Sequence, residues 1–309
     1  MVFQSLYRRY RPQTFGELLG QDHVATALRN AVREGRVGHS YLFSGPRGTG
    51  KTSTARILAK AINCTDRQAD GDPCSKCESC IAITLGNSLD VIELDAASNN
   101  GVAEMRSLLE RVLYRTAGGE RRVYIVDEVH MLSAGASNAL LKTLEEPPEH
   151  IVFVLATTDP HKVLPTIRSR TQHFEFSLLT TDDLTRHLAS VIKQEGVDAS
   201  EEALTLIARR GAGSARDALS FLDQALAHGD GHLEVAQVEE LFGGTPFARR
   251  AMVIDALIAE DAAGALESIA SILDGGVEPR RMADDLLRYL RDTFLVSASR
   301  GRVTVEMTD

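Results

Sequence analysis

Residues Gly45-Pro-Arg-Gly-Thr-Gly-Lys-Thr52 have the spacing G-x-x-x-x-G-K-[ST] of a phosphate-binding loop. Gly45, Gly48 and Gly50 let the backbone take positive φ and come close to a phosphate. Pro46, Arg47 and Thr49 complete the turn, whose successive N–H groups form a concave anion site. A helix opening at Lys51 adds free donors and a partial positive charge. Lys51 is placed to reach the β- and γ-phosphates, the Thr52 hydroxyl to ligate magnesium, and Ser53 continues the first helical turn. Tyr41-Leu-Phe43 reads as a short strand before the loop, so the motif has the strand–loop–helix setting it needs.

A second acidic motif completes this chemistry. Val123-Tyr-Ile-Val-Asp-Glu128 is an apolar run ending in two acids, and the carboxyl ends of parallel strands are where open α/β sheets bind ligands. Asp127 is expected to hold magnesium, directly or through water, and Glu128 to orient the attacking water. Thr157 and Thr158 end another apolar run, Ile151–Leu155, either as contacts to the γ-phosphate or its water, or as a β-turn pair. Arg170, after Ser169, reads from spacing alone as an exposed arginine. Arg216, opening a later helix, either reaches back to the phosphates or is solvated. His130 reads as a packed or hydrogen-bonded histidine.

The four cysteines are spaced Cys64-x9-Cys74-x2-Cys77-x2-Cys80. Paired C-x2-C spacing is a structural-zinc signature, and an intracellular setting disfavours disulfides. Iron–sulfur ligation uses similar clusters, but nothing else in the sequence points to redox chemistry.

The elements that must position these groups follow from periodicity. Helices are expected over about Gln21–Glu34, from Lys51 to near Asn63, over Val102–Tyr114, and near Ala134–Leu144. Strands are expected at Val91–Leu94, Arg122–Asp127, Ile151–Leu155 and Thr171–Phe176, with one or two helical turns at Leu164–Arg168. Strands alternating with helices imply a parallel α/β sheet covered on both faces. After Ser177 no strand is evident. Helices carried by Leu184/Leu188, Leu204/Ile207 and Leu219/Leu222, with a short one at Val235–Leu241, form a small helical domain. Gly243–Pro246 reads as a linker, and helices near Ala248–Glu260, Ala262–Leu273 and Pro279–Ala298 form a third, all-α segment. The expected domains are thus 1–176, with the cysteine module at about 64–85, then 177–242 and 243–309.

Composition bounds the reading. The 309 residues are 43% hydrophobic and 25% charged, as in ordinary globular proteins. No apolar run approaches a membrane span, and Met1–Arg9 lacks a signal-peptide core, so a cytoplasmic protein with no membrane partner is expected. A net charge of −9 argues against indiscriminate nucleic-acid binding. With no Trp and 5% aromatics, a stacking platform for single strands is not expected.

The loop Gly45–Thr52, Asp127-Glu-Val-His130, Ala139-Leu-Leu-Lys-Thr-Leu-Glu-Glu-Pro-Pro148, Ser169-Arg170 and the opening Arg11-Pro-Gln-Thr-Phe15 with Gly20-Gln21 together resemble the AAA+ clamp-loader ATPases. The cysteine insertion after the phosphate-loop helix narrows the match. The resemblance is dense to about residue 245. It implies an AAA+ fold with a helical lid and a collar segment, the latter incomplete at Asp309. It implies ATP, Mg2+ and Zn2+ as ligands. Thr157 or Thr158 would be sensor 1 and Arg216 sensor 2. Arg170 would be an arginine finger acting on ATP in the next subunit, and Tyr7, Arg11 and Pro12 would lie beside the adenine. Implied partners are further copies of the same type, delta and delta prime subunits in a five-membered ring, a sliding clamp and primed DNA. Two departures stand out: Thr171 replaces the family's cysteine after Ser169-Arg170, and the turn Ser98-Asn-Asn-Gly101, matched to a DNA-facing helix start, has no basic residue. The alternatives are another AAA+ motor on DNA, such as a branch-migration helicase, and a non-catalytic ring scaffold. The sequence holds no nucleotidyl-transfer site, so polymerase activity would belong to the holoenzyme.

Overall fold

The computed structural model describes residues 4–110, 112, 116, 118–228, 232–242 and 247–299. The chain divides into two compact units, Met1–Gln224 and Ala225–Asp309. The first is built on five parallel strands: β1 (Ser40–Ser44), β2 (Val91–Asp95), β3 (Arg122–Asp127), β4 (Ile151–Thr157) and β5 (Gln172–Glu175). Their spatial order is β2-β3-β4-β1-β5. The chain therefore leaves β1, crosses beyond β4 and β3 to the far edge, and works back. The crevice beside β1 at the strand carboxyl ends is where such a sheet accepts a ligand. The register sets Ser44 beside Thr157 and Asp95 beside Asp127, which brings those ends to one rim.

The helices of the sheet region are α1 (Leu6–Arg9), α2 (Asp22–Arg33), α3 (Lys51–Asn63), α4 (Glu78–Leu85), α5 (Val102–Glu110), α6 (Ala134–Glu145) and α7 (Pro165–Arg168). Strand alternation divides the core between them. Tyr41, Phe43, Val123, Ile125, Val152 and Val154 pack with α2 and α3 on one face. Leu42, Tyr124, Val126, Phe153 and Leu155 pack with α5 and α6 on the other. Because β1, β3 and β4 are buried on both faces, their sequences read as continuous apolar runs. Each such buried side chain contributes about 1.5–3 kcal/mol.

Three helices follow: α8 (Thr181–Glu195), α9 (Glu201–Arg210) and α10 (Ala215–His228). The Thr180 hydroxyl caps α8 by accepting the Asp183 N–H at 3.1 Å, and Gly196, at φ 70°, ends it. Leu184, Leu188, Val191 and Ile192 form its buried stripe. The second unit holds α11 (Val235–Phe242), α12 (Phe247–Ile258), α13 (Ala262–Asp274) and α14 (Pro279–Ala298), with Val253, Ile272 and Met282 at its centre.

One sequence expectation needs correction, the absence of strands after Ser177, and two helical pieces were not foreseen. Before Arg11-Pro12, Leu6–Arg9 forms a helical turn anchored by buried Leu6. The cysteine segment contains α4, which was hidden because Ile81 and Leu85 are exposed and so trace no buried face. Two two-residue strands, β6 (Asp198–Ala199) and β7 (His232–Leu233), occur after Ser177 and are too short to show alternation. The helix from Val102 is described to Glu110; its expected end at Tyr114 lies outside the described residues, as do Gly243–Pro246 and the terminus at Asp309.

Candidate functional site

The loop after β1 has the backbone its glycines predict: φ is 141° at Gly45, 77° at Gly48 and 101° at Gly50. A Cβ at Gly45 would collide with the Phe176 carbonyl oxygen, and one at Gly48 with the Ser214 hydroxyl. The loop is also tied down on two sides. Gly45 N–H donates to the Thr157 carbonyl at 3.2 Å, and Ala215 N–H donates to the Gly48 carbonyl at 3.1 Å. Lys51 opens α3 and folds back, with Nζ donating to the Gly45 and Pro46 carbonyls at 2.7 Å each. Burial pushes its pKa down, while the charges of Glu128 and Asp127 oppose this.

β3 delivers the acids opposite. The Thr52 hydroxyl donates to Asp127 Oδ2 at 2.7 Å, so the two candidate magnesium ligands already adjoin. Glu128 sits just past the strand end at φ 49°, which turns its side chain toward β4. Its Oε2 accepts the Thr158 N–H at 3.1 Å and the Thr158 hydroxyl at 2.9 Å. The two threonines thus separate. Thr157 is fully buried, and its Oγ1 accepts the Asp159 N–H at 3.0 Å and lies 2.9 Å from His130 Nδ1. Thr158 faces the acid.

A cleft of about 610 Å³ brings together Tyr7, Arg11, Pro12, Arg47–Ser53, Asp127, Glu128 and Arg216. Arg216 lies over the Tyr7 ring, its Cζ 5.0 Å from the centroid. Helix α8 adds His187, Ser190 and Gln194, and α10 adds Leu219. Sequence reading missed all four as site residues: the three on α8 because a ligand-facing polar residue on an amphipathic helix looks like a solvated one, and Leu219 because an apolar stripe residue reads as core. Burial lowers the pKa of His187, which favours its neutral form. Gly45, Pro46, Thr157 and Thr158 stand behind the lining.

Arg170 lies elsewhere. Its Nη2 pairs with Glu145 at 2.8 Å and its Nη1 donates to the Thr166 carbonyl at 2.9 Å. It is not among the residues lining the cleft.

Cys64, Cys74, Cys77 and Cys80 are free thiols whose Sγ atoms all lie within 4.8 Å of one another. A tetrahedral zinc with Zn–S of about 2.3 Å would set its sulfurs about 3.8 Å apart; Cys77 Sγ and Cys64 Sγ are 4.0 Å apart. Cys74 N–H donates to Cys64 Sγ and Cys77 N–H to Cys74 Sγ, each at 3.3 Å, as bonds to thiolates would. Burial raises the Cys80 pKa. At Cys77 burial acts the same way, but N–H donors from Cys80 and Thr65 outweigh it and bring the thiol to about 6. Lys60, 2% exposed, donates to the neutral Gln13 Oε1 at 2.5 Å, with Cys80, Glu17 and Cys74 the anionic groups acting on it. A buried ammonium calls for a compensating charge, which a metal held by four thiolates would supply.

Among the described residues, no helix is long and apolar enough to cross a membrane.

Three family models match successive parts of the chain from residue 20 to residue 308. One for the delta subunit of DNA polymerase III matches residues 20–180, one for the ATPase lid domain of the DNA polymerase III clamp loader subunit matches 183–231, and one for domain III of the DNA polymerase III subunits gamma and tau matches 233–308. The chain is 48% identical over 307 residues to the gamma/tau subunit of Mycobacterium bovis, and 44% identical over 301 residues to the tau subunit of Bacillus subtilis. Each match covers 97% of this chain and 53% of the relative, so the chain spans about half the length of these curated relatives. The gamma subunit of Buchnera aphidicola is 41% identical, with 94% of this chain and 80% of that protein covered. Among solved structures, RuvB of Thermotoga maritima superposes with a TM-score of 0.57 at 21% identity, covering 96% of both chains. At that identity the likeness shows the fold alone, a parallel α/β sheet of AAA+ type followed by helical domains.

Proposed function

Since the chain belongs to the DNA polymerase III gamma/tau family, we propose that its cleft binds and hydrolyses ATP as the motor of a sliding-clamp loader. The observation that carries this is the convergence of Lys51, Thr52, Asp127 and Glu128 on one cleft against a glycine loop with open backbone geometry.

Each residue has a role in that reading. Lys51 exchanges the Gly45 and Pro46 carbonyls for β- and γ-phosphate oxygens. Thr52 and Asp127 would hold Mg2+, which supplies charge neutralisation on the phosphates when bound. Glu128 orients the attacking water, and Thr158 sets the direction of its carboxylate, so sensor 1 is assigned to Thr158 and Thr157 anchors the loop through its carbonyl. Arg216 leaves the Tyr7 ring to reach the phosphates as sensor 2. Tyr7, Arg11 and Pro12 wall the adenine side. Arg170 serves the neighbouring subunit as its finger, which agrees with its place outside its own cleft.

The four cysteines would hold one Zn2+, which supplies a structural crosslink. Sulfurs this close leave room for a single ion and not for a multi-iron cluster. The domains are assigned as 1–176 for the ATPase core, 177–242 for the lid and 243–309 for the collar segment. The partners are further gamma/tau copies, delta and delta prime subunits in a five-subunit ring, the sliding clamp and primed DNA, in the cytoplasm.

The decisive experiment measures ATP hydrolysis by the assembled ring with and without clamp and primed DNA. Stimulation requiring both is expected. A chain stimulated equally by branched duplexes without clamp would be a branch-migration motor, and one that binds ATP without turnover would be a scaffold.

A further inference from the structure

We propose that the cysteine module is a positioning element of the nucleotide cleft: it holds the segment at residues 11–17, so that metal binding at the four cysteines tightens nucleotide binding. This rests on the reading of the cleft as an ATP site.

Residues 11–17 run along the cleft, where Arg11, Pro12, Gln13 and Glu17 line it. The segment has only a 3-10 turn at Phe15–Glu17 and belongs to no strand or longer helix. Side chains of other elements hold it instead. Asp72, buried two residues before Cys74, accepts the Phe15 N–H on Oδ1 at 2.8 Å; its Oδ2 accepts the Gly16 N–H at 3.4 Å and Arg29 Nη2 at 2.9 Å. Gly71, at φ 102°, makes the tight turn that lays Asp72 there; a Cβ on it would stand 2.7 Å from the Arg29 carbonyl oxygen.

Gln13 is the second anchor. Its Oε1 accepts Lys60 Nζ at 2.5 Å and the Thr84 hydroxyl at 3.2 Å, and its Nε2 donates to the Arg11 carbonyl at 2.7 Å. Its own carbonyl accepts the Ser75 hydroxyl at 3.3 Å. Ser75 lies between Cys74 and Cys77, Thr84 lies on the helix that carries Cys80, and Lys60 lies on the helix that Lys51 opens. One glutamine therefore ties the cysteine module, the phosphate-loop helix and the cleft wall together.

The loop from Thr65 to Cys77 has no helix or strand of its own. With a divalent ion bound by four thiolates the loop is closed, and the net negative charge compensates Lys60. Without the ion, Asp72 and Ser75 lose their fixed places, and residues 11–17 lose those two anchors, keeping Lys60 and the buried Phe15, while the phosphate loop stays tied to β4. The base side of the cleft then has to be ordered at the expense of nucleotide affinity.

The test uses the full chain with ATP as probe. Zinc is removed by thiol modification and chelation, ATP affinity is measured by calorimetry, and amide exchange is followed at residues 13–17. Loss of affinity of about tenfold or more, with faster exchange at 13–17, is expected. Gln13→Ala and Asp72→Asn should each keep one metal ion per chain yet weaken ATP binding several-fold. Should the metal-free chain unfold, these two variants decide. Unchanged ATP affinity in both, or in a folded metal-free chain, overturns the proposal. Lys51→Ala separates this from the reading it rests on: if that variant still binds ATP, the cleft assignment itself fails.

Discussion

Thr158 gives both its backbone N–H and its hydroxyl to one oxygen of Glu128, at 3.1 and 2.9 Å. The carboxylate proposed to orient water is therefore fixed by a residue from the neighbouring strand end, and Glu128 itself sits in a left-handed conformation at φ 49°. The two bonds hold its direction and keep the other carboxylate oxygen available.

Glu128→Gln should keep ATP affinity within about twofold while turnover falls about 10²–10⁴-fold, the range of one proton-transfer group. Thr158→Val keeps the N–H bond and loses the hydroxyl bond, so turnover should fall about tenfold, in line with one hydrogen bond to a charged group. Single-turnover hydrolysis beside nucleotide titration checks both. Equal loss of ATP binding in Glu128→Gln would remove it from the water-orienting role.

The pH dependence of binding should report Lys51. Burial lowers its pKa in the free chain, and a triphosphate beside Nζ raises it again. Above the lowered pKa, binding must then take up a proton, so affinity falls as pH rises through the alkaline range. Below that pKa Lys51 is charged in both states and makes no pH dependence of its own. Lys51→Arg should flatten the alkaline limb, because guanidinium stays charged there. Calorimetric titration in buffers of differing ionisation enthalpy measures the proton uptake directly.

Gly48→Ala combines two penalties. The residue sits at φ 77°, and a Cβ would collide with the Ser214 hydroxyl. Left-handed backbone alone costs about 1–2 kcal/mol for a residue with a Cβ. Relief of the collision moves Ser214 or the loop and breaks the Ala215–Gly48 bond. ATP affinity should drop more than about tenfold, with a lowered Tm. Unchanged affinity would show that the start of α10 does not shape the loop.

Legibility from sequence followed the range of the physics. The phosphate loop was readable because glycine spacing dictates backbone geometry locally. β1, β3 and β4 were readable because burial on both faces leaves continuous apolar runs. The cysteine cluster was readable because all four cysteines lie within one segment. The rest of the cleft depends on distant partners: Gln13 meets Lys60 and Phe15 meets Asp72 across 47 and 57 residues. His187 and Gln194 sit on the polar face of α8, and only the fold says which part of that face looks into the cleft. The threonine pair was ambiguous because strand alternation sends adjacent hydroxyls opposite ways, and the register alone fixes which meets Glu128.

Arg170 and Glu145 form the last test. Their ion pair, 2.8 Å long, has side chains 36% and 50% exposed, and such a surface pair contributes about 0–1 kcal/mol. Breaking it should leave the stability of the isolated chain nearly unchanged. Arg170 is also absent from the lining of its own cleft, so Arg170→Ala should leave the ATP affinity of the isolated chain within about twofold. In the assembled ring the same change should remove most clamp- and DNA-stimulated hydrolysis, since an arginine acting in trans contributes about 10³–10⁵ in rate. Mixing Arg170→Ala subunits with Lys51→Ala subunits should restore part of it, because some interfaces then join an intact arginine to an intact phosphate loop. Glu145→Ala frees the guanidinium from its partner within the chain while Thr166 still holds Nη1, so this variant should keep ring activity. If Arg170→Ala slows hydrolysis by the isolated chain as much as by the ring, the arginine acts on its own nucleotide.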